Sequence, residues 1–132
     1  MKEKILILGG SGFIGSHLLR KLKDVGFKCY SISLKKNKNN FTNNQISYYS
    51  ADLADISSLE KCIGDIKFDY LINLAGYIDH SNFFNGGMDV INSHYGSLLN
   101  ILKTIDLKNI KKIIQIGSSD EYGNLPAPQN EE

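Results

Sequence analysis

The sequence is poor in several residue types, and each shortage excludes a class of protein. Its 132 residues include no tryptophan, two prolines and two cysteines. Cys29 and Cys62 are too few for a disulfide scaffold and lack metal-ligand spacing, so we expect reduced thiols and no metal site. No apolar run approaches the ~20 residues of a membrane span, which predicts that no membrane is a partner.

An excess of charge of one sign is also missing. The formal net charge is +1, with 15 basic and 14 acidic residues. This balance argues against nucleic acid as a partner, because nucleic-acid binding relies on an excess of positive charge. The first apolar run reaches Gly9 too early for the longer apolar stretch of a secretion signal. We therefore expect a cytoplasmic protein with one domain, residues 1–132.

What the sequence does contain is an alternation of short apolar runs with helical periods. Five such runs indicate buried strands, and the stretches between them show the spacing of amphipathic helices. This alternation predicts an α/β fold, a doubly wound parallel sheet (Rossmann) of about five strands in the order 3-2-1-4-5. The predicted strands are residues 4–8, 28–33, 46–50, 70–74 and 112–117, and the predicted helices are residues 12–25, 56–64 and 91–105.

The apolar spacing also predicts which helix faces are buried. The first helix is expected to bury one apolar stripe, and the last helix a longer one. The stripes are Ile14, Leu18, Leu22 and Val25 in the first helix, and Ile91, Tyr95, Leu98, Leu102 and Ile105 in the last. Ligands of such sheets bind at the carboxyl ends of the strands where the order reverses, here between the first and fourth strands.

A glycine-rich turn lies at that point. Residues 9–15 read Gly-Gly-Ser-Gly-Phe-Ile-Gly and satisfy G-x-G-x-x-G between a predicted strand and a predicted helix. Here an early glycine, Gly9 or Gly10, allows the tight turn, Gly12 lets the backbone approach a pyrophosphate, and Gly15 lets the helix pack on the sheet. The helix start, with Phe13 and Ile14, offers free N–H groups to the anion. A plain glycine-rich turn is the alternative, although these glycines weaken a helix start that binds no ligand.

The end of the second predicted strand bears on the choice between NAD and NADP. NAD specificity usually places a carboxylate there, but no acidic residue occurs between Asp24 and Asp52. Ser33 occupies that region, and Lys35 and Lys36 follow it. A hydroxyl and two ammonium groups would attract a 2′-phosphate, so we favour NADP slightly over NAD. A solvated loop is the alternative explanation of the lysines.

Five short motifs together resemble the extended short-chain dehydrogenase/reductase family, in its nucleotide-sugar epimerase, dehydratase and reductase branch. The resemblance runs along nearly the whole chain. The motifs are the glycine turn at residues 9–15, Asp52-Leu53, Asn73-Leu74-Ala75-Gly76, Asn92 with Gly96 and Asn100, and Ser118-Ser119-Asp120-Glu121-Tyr122-Gly123.

The resemblance implies a role for each motif. Asp52 and Leu53 would contact the adenine, although Asp52 could instead cap the helix that follows. Leu74, Ala75 and Gly76 would lie against the cofactor, and Asn92 would order the active site. One serine would polarise the substrate, and we favour Ser119 over Ser118. Asp120 and Glu121 are either an acid–base pair or a solvated part of the loop.

The family's Tyr-x-x-x-Lys pair is missing. None of the seven tyrosines is followed by lysine at that spacing. We therefore expect a protein truncated before the sixth strand and the C-terminal substrate-binding region, weakly active or inactive alone, whose partner is a nucleotide-sugar substrate. Two alternatives are a non-catalytic NAD(P)-binding sensor and a domain that binds S-adenosylmethionine. An uncovered fifth strand would also favour a homodimer or aggregation.

Overall fold

The fold is seen in a computed structural model that describes residues 2–35, 45–76, 83–85, 87–118, 122–124, 126 and 128. Five parallel strands form one sheet in the order β3-β2-β1-β4-β5, which confirms the predicted fold class and strand order. The strands are β1 (Lys4–Leu8), β2 (Lys28–Ser33), β3 (Ile46–Ser50), β4 (Tyr70–Asn73) and β5 (Lys112–Gln115).

Helices connect the strands and cover both faces of the sheet. They are α1 (Phe13–Asp24), α2 (Ile56–Ile63), α3 (Gly87–Ile91) and α4 (Ser97–Thr104), with a π-helical turn at Asn92–Gly96 and 3-10 turns at Phe83–Asn85 and Leu107–Asn109.

The core is split by the sheet into two clusters, because alternate residues of a strand point to opposite faces. On one face, Leu6 and Leu8 pack with Leu59 of α2 and Ile101 of α4. On the other face, Ile5, Ile7 and Cys29 pack with Leu19 of α1. Both cysteines are free thiols, as expected, and burial raises the pKa of Cys29 to about 11.

The predicted buried face of α1 is wrong at both ends. Ile14 and Val25 are exposed, whereas Gly15 and Leu19 are buried. The absence of a side chain at Gly15 permits α1 to contact the backbone of Gly9 and Gly10. The buried stripe is therefore shifted by about one residue from the predicted one. Apolar spacing alone does not reveal such a contact, because glycine has no apolar side chain to count.

The last predicted helix is interrupted, and its predicted face is wrong before the end of the π turn but right after it, where Leu98, Leu102 and Ile105 pack on the core. α3 begins at Gly87, and the π turn at Asn92–Gly96 separates it from α4. A π turn adds one residue to the helical repeat, so the apolar patterns before and after it are out of phase. Ile91 and Tyr95 are therefore exposed, while Ile101 is fully buried although the predicted stripe omits it.

Strand β5 lies at one edge of the sheet, and no strand among the described residues pairs with its outer side. It ends at Gln115, two residues earlier than predicted, as β4 ends one residue earlier, at Asn73. Its isoleucines Ile113 and Ile114 are 41% and 40% exposed. The dimer inferred from an uncovered edge stays a prediction.

A cluster of charges joins three strands at the amino ends of the sheet. The Lys111 ammonium contacts the carboxylates of Glu3 and Asp69, and the second oxygen of Asp69 accepts a hydrogen bond from the Lys4 backbone N–H at 2.9 Å. This backbone donor, followed by Lys111, holds the pKa of Asp69 below its usual value. The cluster stabilises the sheet at the end opposite to the glycine turn.

Replacing Asp69 should make stability less dependent on acid pH. Because its pKa is lowered in the folded state, Asp69 contributes fully above the unfolded value of ~3.9 and loses that contribution as pH falls through the folded pKa. Asp69→Asn is expected to lower the free energy of unfolding at pH 7, and the difference from the parent should shrink as pH falls through the lowered, folded-state pKa of Asp69. Urea unfolding across this range measures it. Asp65→Asn, at an exposed carboxylate, is the control, and a constant deficit at every pH would contradict the prediction.

Candidate functional site

The glycine turn and the segment after β4 meet at the carboxyl ends of neighbouring strands. Gly9 follows β1 with φ +77°, and a Cβ built on it would lie 3.0 Å from the backbone nitrogen of Ala75. Its own N–H donates to the Ile32 carbonyl at 2.8 Å. Only glycine suits this position, because both the backbone conformation and the close approach of residues 74–75 exclude a side chain. The structure therefore brings together two of the predicted cofactor-binding segments.

Gly10 and Gly15 make α1 and the turn pack tightly on each other. A Cβ on Gly15 would lie 2.5 Å from the Gly9 carbonyl oxygen and 2.6 Å from Gly10 Cα, and a Cβ on Gly10 would lie 2.3 Å from Ser31 Oγ. These contacts are too short for any side chain. Both glycines are thus required by the protein's own packing.

Gly12 differs, because a single contact limits the space beside it. A Cβ there would meet one atom within 4 Å, the Gly9 carbonyl oxygen at a tight 3.3 Å, and its φ of −73° is open to any residue. Gly12 is the N-cap of α1; among the described residues no side chain caps this end and its first turn holds no acidic residue. The packing of the chain constrains this glycine less than Gly10 or Gly15, and the approach of a ligand to the backbone would add a further reason for it.

The first turn of α1 presents apolar side chains and backbone donors together. Phe13 and Ile14 are 82% and 61% exposed, which is unusual for such residues in a folded domain. The free N–H groups of the turn carry the positive end of the helix dipole, which favours a bound anion. Phe13 and Ile14 are therefore accessible to a ligand, as their predicted contact with a cofactor requires.

Ser33 braces the glycine turn. It is buried at the end of β2, and its Oγ accepts a hydrogen bond from the Ser11 backbone N–H at 3.1 Å. The Ser33 hydroxyl can still donate its own hydrogen bond to another acceptor. Its position is fixed by the bond from Ser11. Lys35 is exposed two residues later, while Lys36 lies outside the described residues.

Asp52 and Leu53 occupy a short loop after β3. The alternative that Asp52 caps α2 is wrong, because Asp55 is the N-cap and accepts from the Ser57 N–H at 3.0 Å. Asp52 Oδ1 instead accepts from the Ala54 N–H at 2.9 Å within the loop. Its carboxylate is exposed, and Leu53 packs on the core.

A side chain of α4 holds this loop in place. The Nδ2 group of Asn100 donates to the carbonyl oxygens of Leu53 and Ala54, each at 3.1 Å. The sequence singled out Asn100 only through the family resemblance and gave no partner for it. Its two partners lie 47 and 46 positions earlier in the chain, so the local sequence pattern cannot predict them.

The π turn lies beside residues 74–76, the segment after β4 that is predicted to contact the cofactor. Asn92 opens the turn and is exposed, and Gly96 closes it. A Cβ on Gly76 would lie 3.0 Å from His94 Cε1, so the absence of a side chain at Gly76 permits the imidazole to approach. The sequence analysis missed this contact, because a continuous α-helix would have turned His94 in a different direction.

The serine segment follows β5 at the carboxyl end of the sheet, as the glycine turn follows β1. Ser118 is exposed, and Ser119, Asp120 and Glu121 lie outside the described residues. Across the part of the chain that the structure describes, no cluster of three potential metal ligands occurs, and no helix is long and apolar enough to cross a membrane.

A comparison with known protein families matches residues 5–132 to the NAD dependent epimerase/dehydratase family. Protein CapI of Staphylococcus aureus is 33% identical over 135 residues, which are 91% of this chain and 39% of that protein. The chain spans between about a fifth and two fifths of the length of the curated relatives that it matches.

Solved structures agree with this match. A UDP-glucose 4-epimerase from Bifidobacterium longum in complex with NAD+ and UDP has a TM-score of 0.80 and 25% identity, over 98% of this chain and 41% of that one. A UDP-N-acetylglucosamine 4-epimerase from Methanobrevibacter ruminantium M1 in complex with UDP-N-acetylmuramic acid has a TM-score of 0.79 and 30% identity, over 99% and 43%.

The different surroundings of two glycines predict effects of different size for the same substitution. Gly15→Ala should lower the free energy of unfolding by about 1–3 kcal/mol, because the new Cβ overlaps the backbone of Gly9 and Gly10. Gly12→Ala should lower it by about 1 kcal/mol or less, because its Cβ meets only the Gly9 carbonyl oxygen at 3.3 Å and alanine is a poorer N-cap than glycine. Urea unfolding monitored by circular dichroism measures both. Helix propensity alone favours alanine within a helix, so a stabilised Gly15→Ala variant would contradict the packing account.

Proposed function

Because the chain belongs to the NAD-dependent epimerase/dehydratase family, we propose that it is the cofactor-binding part, residues 1–132, of an NAD(P)-dependent enzyme that acts on a nucleotide sugar by hydride transfer. The observation that carries this proposal is the start of α1, where no side chain caps the helix and where a Cβ on Gly12 would meet only one atom, the Gly9 carbonyl oxygen at 3.3 Å. The bound dinucleotide would supply the hydride acceptor or donor. Every other role below falls to side chains and backbone groups of this chain.

The proposed binding mode places the diphosphate at the start of α1. Backbone N–H groups at Phe13 and Ile14 would donate to the phosphate oxygens, and the helix dipole would add to the attraction. Gly9 and Gly15 would act indirectly, by keeping the turn close to residues 74–75 and to α1. The turn needs no lysine or arginine for this purpose, which agrees with the weak net charge of the chain.

The adenosine half of the cofactor would lie between β2 and the loop after β3. Asp52 is exposed there, with one carboxylate oxygen occupied by the Ala54 N–H, so the other oxygen can accept from the adenine amino group. Leu53 would contact the adenine ring, and Asn100 would hold the loop from behind. Ser33 and Lys35 would face the ribose and, in NADP, its 2′-phosphate.

The nicotinamide half would point toward β4 and β5. Leu74, Ala75 and Gly76 would lie against it, and Asn92 would order the adjacent active site. Ser119, with Ser118 as the second candidate, would donate a hydrogen bond to the sugar oxygen at the reacting carbon. Because no Tyr-x-x-x-Lys pair occurs in these 132 residues, the acid–base step has no assigned residue here, and we propose weak or no turnover by this chain alone.

A second candidate function is an NAD(P)-binding sensor without catalysis. It is supported by the complete glycine turn and by the lack of a Tyr-x-x-x-Lys pair within these 132 residues. Single-turnover absorbance measurements with NADP+ or NAD+ and UDP-sugar or dTDP-sugar substrates test it. Reduction of the dinucleotide, in which hydride passes from a sugar carbon and the sugar hydroxyl becomes a ketone, would rule out the sensor. A homodimer and a cytoplasmic location stay predictions of the sequence.

The proposal predicts that the chain binds a dinucleotide and that one added side chain at Gly12 abolishes this binding. Isothermal titration calorimetry of the parent should show heat with NADP+ or NAD+, and Gly12→Val should lose it, because the isopropyl group fills the space of the diphosphate. Val25→Ala, at the exposed far end of α1, is the control and should bind as the parent does. A folded parent that binds neither dinucleotide would contradict the proposal.

The proposed NADP preference depends on Lys35. Lys35→Glu should weaken NADP+ binding about fivefold, as expected for loss of a solvent-exposed ion pair and its replacement by repulsion, with a smaller effect on NAD+. Lys61→Glu, on the exposed side of α2, makes the same change of charge away from the site and should alter neither affinity. Equal changes for both dinucleotides would remove Lys35 from the 2′-phosphate site.

A further inference from the structure

Two amide side chains connect the segments that follow β4 and β5. Asn73 and Gln115 are the last residues of these strands and lie directly opposite each other in the sheet. The Nδ2 group of Asn73 donates to Gln115 Oε1 at 2.8 Å. Asn73 is 2% exposed, so its amide has little access to water and depends on partners within the protein.

The contact is the middle of a directional series of hydrogen bonds. The Ala75 backbone N–H donates to Asn73 Oδ1 at 3.0 Å, and the Nε2 group of Gln115 donates to the Ile116 carbonyl oxygen at 2.9 Å. Each amide therefore donates and accepts once within the series. The two ends are backbone groups, one in the segment 74–76 and one just before Gly117 and Ser118.

The two ends lie where the proposed function needs accurate placement. Ala75 is the residue whose backbone nitrogen limits the space at Gly9, so the shape of its turn affects the glycine turn as well. Ile116 donates its N–H to the Asn73 carbonyl oxygen at 3.1 Å, which connects the same residue to β4 a second time. No ionised group takes part, so this placement does not depend on pH near neutrality.

We propose that Gln115 is a positioning residue for cofactor binding. Through Asn73 it holds the segment 74–76 in the shape against which the dinucleotide lies, and through the Ile116 carbonyl it aligns the segment that leads to Ser118. This inference rests on the proposed function, since it concerns the same site. It adds a residue that the sequence analysis did not single out.

Removing the Gln115 amide should reduce affinity for the dinucleotide. In Gln115→Leu the buried Nδ2 group of Asn73 loses its acceptor, so the Asn73 side chain is expected to turn toward other partners and release the Ala75 N–H. Calorimetry with NADP+ and NAD+ should then show affinity lowered roughly tenfold, the order expected when a buried amide is left without its partner. Lys112→Gln, at the opposite end of β5, is the control and should bind as the parent does.

Two further variants separate positioning from stability. Gln115→Glu keeps an acceptor for Asn73 but no longer donates to Ile116, so it should recover most of the affinity lost in Gln115→Leu. The double variant Asn73→Leu/Gln115→Leu leaves no buried side-chain amide unpaired and should recover part of the stability in urea unfolding. Its affinity should stay low, because the Ala75 N–H still lacks its acceptor.

The outcomes distinguish this inference from its premise. Reduced affinity in Gln115→Leu, rescued by glutamate but not by the double leucine variant, supports the positioning role. Parent-like affinity in a folded Gln115→Leu variant overturns it, as does affinity that returns together with stability in the double variant. A folded parent that binds neither dinucleotide overturns the proposed function itself, and the positioning role with it.

Discussion

The close approach of the chain at Gly9 to the backbone of residues 74–75 is the contact on which the site depends. It places the turn after β1 against the segment after β4, where the strand order reverses. The left-handed φ of Gly9 and the 3.0 Å limit set by Ala75 leave room for no other residue. The start of α1 therefore lies at the same end of the sheet as the segments after β4 and β5.

The glycines of this turn divide into two groups by what surrounds them. Gly9, Gly10 and Gly15 are required by contacts within the protein, so a folded chain would need them whether or not it bound anything. Gly12 has an unstrained backbone and a single close contact, to the Gly9 carbonyl oxygen. A sequence motif treats these positions alike, whereas in the structure Gly12 is the one of the four that contacts within the protein constrain least.

The sequence predicted the sheet well, because each buried strand is a short apolar run and alternating helices permit few topologies. It failed where a contact has no local signature. The face of α1 is set by Gly15, which has no apolar side chain, and the π turn at Asn92–Gly96 shifts the phase of the last helix. The partners of Ser33 and Asn100 are backbone groups distant in the chain, which no periodicity reveals.

The most direct test of the central claim is a crystal structure of this chain grown with NADP+. The account predicts that the diphosphate lies at the start of α1, with oxygens at hydrogen-bond distance, ~3 Å, from the backbone nitrogens of Phe13 and Ile14 and with no side chain between them and Gly12. Electron density for the dinucleotide at any other surface, with this turn bound only to water, would contradict it.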